Sequence, residues 1–96
     1  MTRDLHPTEG ARYLLERQDA GEARARYRAT IFTPDATFAA DVTLGTDGSV
    51  ELAATGAPDE LHARLTSIAK LIARDAGKLA ADGLVTWPAR ILRWRR

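Results

Sequence analysis

The chain has 96 residues, 45% of them apolar, a formal net charge of +1 and no cysteine. That length fits a single domain spanning 1–96 and leaves no room for a separate cofactor-binding unit. Without cysteine there is no disulfide framework, thiol nucleophile or cysteine-ligated zinc, and no apolar run reaches the roughly 18–20 residues of a membrane span.

The first residues, from Met1 to Pro7, contain no apolar stretch of the secretory-signal type, so a cytoplasmic location is the expectation. Residues 7–19 admit two readings. Ala11, Leu14, Leu15 and Gln18 have helical spacing behind Pro7 and Glu9, and a short helix is the favoured one. The alternative is an extra strand through Tyr13-Leu14-Leu15-Glu16, joined to the next segment by Asp19-Ala20-Gly21.

Three segments then alternate with a period of two: about 22–33, 37–44 and 49–54. Ala23, Ala25, Tyr27, Ala29 and Ile31 lie on one face of the first. Phe38, Ala40, Val42 and Leu44 do so in the second, and Val50, Leu52 and Ala54 in the third. This pattern predicts a three-stranded antiparallel β-meander with one buried face. A turn at Pro34-Asp35 opposes Ile31 to Phe38, Ala29 to Ala40 and Tyr27 to Val42, and on the other face Arg28 to Asp41. At the second turn only a three-residue loop, Thr46-Asp47-Gly48, keeps apolar residues opposite each other, with Gly48 in the left-handed position.

Residues 58–82 read as one helix. Pro58 suits its first position, Asp59 and Glu60 favour its N-terminus, and Asp82-Gly83 stops it. Leu61, Leu65, Ile68, Ile72, Ala76 and Leu79 form an apolar stripe, and Leu71 is expected to widen it. At 1.5 Å per residue the helix is about 37 Å long, against about 20–27 Å for a six-to-eight-residue strand. One end should overhang the sheet or meet a second chain.

The remaining segment is a Trp/Arg-rich tail. Residues 84–96 hold four arginines, both tryptophans and no acid, whereas the rest of the chain is neutral to acidic. If helical, Trp87, Ile91 and Trp94 share a side; if extended, Val85, Trp87, Ala89, Ile91, Arg93 and Arg95 do. Alanine supplies 18 residues of the apolar total, so the core is thin, and docking of Trp87 and Ile91 on it, with Trp94 as a further candidate, is the favoured reading.

No residues are assigned to catalysis, a cofactor or a metal, and none of these is expected. The two histidines, His6 and His62, are far apart in sequence. Ser67 stands at i+5 from His62, off its face of the helix, and the glycines form no phosphate-binding loop. The Asp41 and Glu51 carboxylates read as ion-paired surface beside Arg28. The fold expected is α+β, with the sheet covered on one face by the long helix.

The function expected is that of a small non-enzymatic protein-interaction module, homodimeric through open strand edges or helix stripes, its partner being another protein. The alternative is binding of nucleic acid or an anionic surface. It would run through the tail residues Trp87, Arg90, Arg93, Trp94, Arg95 and Arg96, and through the row Arg24, Arg26 and Arg28.

Overall fold

The computed structural model describes residues 7–84 and 87–95. The fold is α+β: β1 (Ala11–Ala20), β2 (Arg24–Phe32), β3 (Thr37–Gly45), β4 (Val50–Leu52), α1 (Asp59–Ala81) and β5 (Arg90–Arg95). The strands form one antiparallel sheet in the order β4-β3-β2-β1-β5. The helix lies along one face and packs most closely over β3 and β4. Among the described residues, no helix is long and apolar enough to cross a membrane.

The expected meander is present as β2, β3 and β4 with the expected register. Ile31 stands opposite Phe38, Tyr27 opposite Val42, Val42 opposite Leu52 and Leu44 opposite Val50. At the first turn the Thr33 amide donates to the Ala36 carbonyl. The second closes through the Gly45 amide to the Ser49 carbonyl, with Gly48 at φ +86°. A side chain at that φ costs about 1–2 kcal/mol. Gly48→Ala is therefore expected to lower stability by about 1 kcal/mol in urea unfolding while leaving the folded-state spectrum unchanged.

One expectation about the sheet is corrected. Residues 11–20 form a strand and not the favoured short helix, so the sheet has five strands. Tyr13 and Leu15 face the helix while Leu14 faces the other way, and all three are buried. β1 is flanked by β2 and β5, and Leu14 sits between Thr30 and Leu92. A strand buried on both faces has no clean alternation, and its apolar run then mimics a helical spacing. A register shift at Gln18, between Arg17 and Asp19, ends the regular part of the strand.

The tail takes the extended of its two readings: residues 90–95 are a strand against β1, with Ile91, Arg93 and Arg95 on one face. Ile91 is opposite Leu15, Arg93 opposite Tyr13 and Trp94 opposite Arg12. Trp87 and Ile91 are buried in the core, as the thin core requires, at 4% and 6% exposure. Val85 and Thr86 lie outside the described residues.

The helix buries Leu65, Ile68, Ala69, Ala73 and Ala76, with Leu61 and Ile72 partly covered. Leu71 does not widen this face; it is 47% exposed. Three of the five buried helix residues are alanines, so the sheet is approached at close range. At Gly77 the helix nearly touches the Thr46 carbonyl.

Tyr13 and Tyr27 are the largest fully buried side chains. Burial raises both phenol pKa values above the ordinary 10.0, opposed by the Arg64 guanidinium at Tyr13 and by Arg17 at Tyr27. The proton is then held more tightly folded than unfolded. That contribution to stability is complete below pH 10.0 and is lost as pH climbs through the folded values. Urea midpoints should fall above pH 10, with tyrosinate absorbance rising together with loss of structure. Two phenols titrating at the ordinary value in a folded chain would contradict this.

Candidate functional site: the open edge of β5 and its groove

The site rests on how Trp87 brings the chain back to the sheet. Its indole N–H donates to the Gly21 carbonyl at 3.2 Å. The Arg17 guanidinium donates to the Trp87 carbonyl at 2.6 Å, and the Tyr27 hydroxyl to the Pro88 carbonyl at 2.6 Å. These bonds aim residues 88–95 along β1 and make β5 an edge strand among the described residues. The other edge, β4, is only three residues long.

The register decides which backbone groups of β5 are open. The Arg17 amide bonds the Ala89 carbonyl, and Leu15–Ile91, Tyr13–Arg93 and Ala11–Arg95 follow in the same phase. The N–H and C=O of alternate residues point to opposite sides of a strand. Those of Arg90, Leu92 and Trp94 therefore point away from the sheet. Two of the outward carbonyls are covered by the chain itself. The Arg93 guanidinium donates to the Leu92 carbonyl and the Arg95 guanidinium to the Trp94 carbonyl, each at 3.0 Å. Arginine on an edge strand is a common guard against unwanted strand pairing.

On the helix side, a groove runs between α1 and β5. Its widest part, about 300 Å³, is lined by Glu60, Ala63, Arg64, Ser67, Ile68, Leu71 and Arg95. It continues past Arg74, Asp75 and Arg93 to Leu79, Pro88 and Ile91. Arg64 is paired with Glu60 at 2.8 Å and Arg74 approaches Asp75 at 3.9 Å. Arg93 and Arg95 form no ion pair among the described residues. Below the groove lies the buried Tyr13 hydroxyl, with Arg64, Glu60 and Arg95 supplying its field.

The residues singled out from the sequence fall on two faces. Arg24, Arg26 and Arg28 stand on the sheet face turned away from the helix, with Arg90 and Trp94 at its β5 end. Arg93 and Arg95 stand on the helix side. Arg28 is paired with Asp41 at 3.3 Å, both exposed. Trp87 is buried and unavailable for stacking. Arg96 lies outside the described residues. Trp94, 45% exposed, donates its indole N–H to the Glu9 carbonyl. The structure adds Arg12, which lies between Trp94 and Phe32 across the strands. From the sequence Leu71 reads as part of the helix's buried stripe and not as a site residue, and the groove has no sequence signal. His62 is partly buried, its Nδ1 3.2 Å from the Thr55 hydroxyl. No family model, curated protein or solved structure matches the chain.

Proposed function

We propose that the chain is a small non-enzymatic protein-interaction module that docks a partner along the open edge of β5. One observation carries this reading. Of the four large apolar residues most exposed among the described ones, three flank this edge: Leu71 on the helix side, Leu92 and Trp94 on the other. Apolar surface beside open backbone groups is the surface that strand addition uses. A homodimer built on the same edge sets β5 against β5, three arginines of one copy facing three of the other. Such a dimer should tighten with salt as the repulsion is screened.

Leu92→Pro tests the reading. The Leu92 N–H points outward, so proline removes no bond to β1 while obstructing an added strand. Proteins retained from a cell extract by immobilised wild-type chain, after nuclease treatment, should be lost with Leu92→Pro, the variant's thermal melt staying within a few degrees. Retention unchanged by Leu92→Pro and by Leu71→Asp would remove the reading.

A second reading is nucleic-acid binding on the helix-free sheet face. It is favoured by Arg12, Arg24, Arg26 and Arg90 on that face with Trp94 and Phe32. Glu16, Asp19 and Asp41 on the same face weaken it. Oligonucleotide anisotropy should then fall steeply with salt and with Arg24→Glu/Arg26→Glu. No binding at low salt by the folded chain would retire it.

A further inference from the structure

Resting on the edge-docking reading, we propose that the occupant of β5 is an extended acidic segment of a partner protein, alternating carboxylate and apolar residues. Arg93 and Arg95 turn their guanidinium groups onto the outward carbonyls of Leu92 and Trp94, which an added strand needs as acceptors. An incoming strand must displace them. A neutral segment would return two guanidinium groups to water. An acidic one replaces each lost bond with a charge-assisted bond to carboxylate, while its backbone N–H groups take over the carbonyls.

Charge and facing give the pattern. β5 carries three arginines and no acid. Arg93 and Arg95 face the groove, so the carboxylates belong on the helix side, their methylene stems against Leu71 and Ile68. Leu92 and Trp94 face the other way, so the alternate residues of the partner are apolar. A second copy of this chain is the poorer occupant, since it brings three arginines to the same edge.

Three labelled octapeptides form the test: alternating Glu-Val, Thr-Val and Lys-Val. Anisotropy is read against the full chain, Leu92→Pro and Arg93→Gln/Arg95→Gln, at low and physiological salt. Glu-Val should bind wild type about five- to tenfold more tightly than Thr-Val, the scale of two exposed charge pairs. That margin should shrink with salt and vanish in the double glutamine variant. There the uncapped edge should bind Thr-Val at least as well as wild type does. Binding should slow amide exchange at Leu92 and Trp94.

Equal binding of Glu-Val and Thr-Val, both lost with Leu92→Pro, would overturn acidic selection and leave edge docking standing. Binding of neither peptide at high micromolar concentration, or binding indifferent to Leu92→Pro, would overturn both. A dimer in sedimentation that Leu92→Pro dissolves would assign the edge to a second copy and overturn the proposal. Glu-Val binding that survives in the double glutamine variant with its margin intact would also overturn it.

Discussion

Trp87→Ala is expected to lower stability by about 3–5 kcal/mol, the usual cost of emptying a buried aromatic site. Trp87 is 4% exposed in a core whose largest fully buried members are two tyrosines, three leucines, an isoleucine and a valine. The loss is more than volume. The indole N–H bonds the Gly21 carbonyl, and the ring sits beside the two carbonyls held by Arg17 and Tyr27. A domain of this size loses about 4–8 °C of Tm per kcal/mol, so the variant is expected to be largely unfolded at 37 °C. Trp87→Phe supplies the finer test. It keeps most of the apolar volume, drops the N–H, and should lose about 1–3 kcal/mol because the Gly21 carbonyl loses its donor. If β5 depends on this anchor, amide exchange in Trp87→Phe should accelerate first at Ile91 and Arg93, the two residues nearest the anchor among those of β5 bonded to β1. Uniform acceleration over the whole sheet would mean that the anchor serves the core generally and does not hold β5 in particular.

Gly77→Ala should destabilise, although the helix by itself predicts the reverse. In a helix interior, glycine is about 1 kcal/mol worse than alanine. Here a Cβ would lie 2.5 Å from the Thr46 carbonyl oxygen, a backbone atom in the turn after β3. Either the helix lifts away or the turn shifts, and overpacking of this kind costs about 1–3 kcal/mol. Urea unfolding decides by sign. Ser67→Ala on the exposed face of the same helix is the control, and it should be neutral to slightly stabilising. A stabilised Gly77→Ala would mean that α1 stands further from the β3–β4 turn than the structure places it.

Much of the fold was legible because it is locally coded. The period-two alternation of β2 and β3 and the turn residues Pro34-Asp35 and Thr46-Asp47-Gly48 set strands, faces and register together. A one-residue slip would have put Tyr27 and Ile31 in solvent. The stripe of α1 was legible for the same reason. Its outer limit was not: Leu71 fits the period but lies beyond the face that the sheet covers.

β1 and β5 were not legible in this way. Leu14 and Leu15 are adjacent and both buried, which a strand allows only when neighbours close over each of its faces. The tail's arginines read as one basic element, whereas the strand sends Arg93 and Arg95 to the helix side and Arg90 and Trp94 to the other. The capped edge was invisible in the sequence, since it depends on which carbonyls of β5 point away from β1.

By itself, then, the sequence determined the α+β class, the meander with its register, the helix, and a tail that the thin core had to recruit. Those follow from local periodicity and turn chemistry, where partners lie a few residues away. The tertiary structure alone decided that residues 11–20 and 90–95 pair with each other across some seventy residues or more of chain. It alone set an arginine-guarded edge beside a groove that exposes Leu71. Strand pairing at that separation is selected by the fit of the whole sheet under its helix, and no local pattern records it.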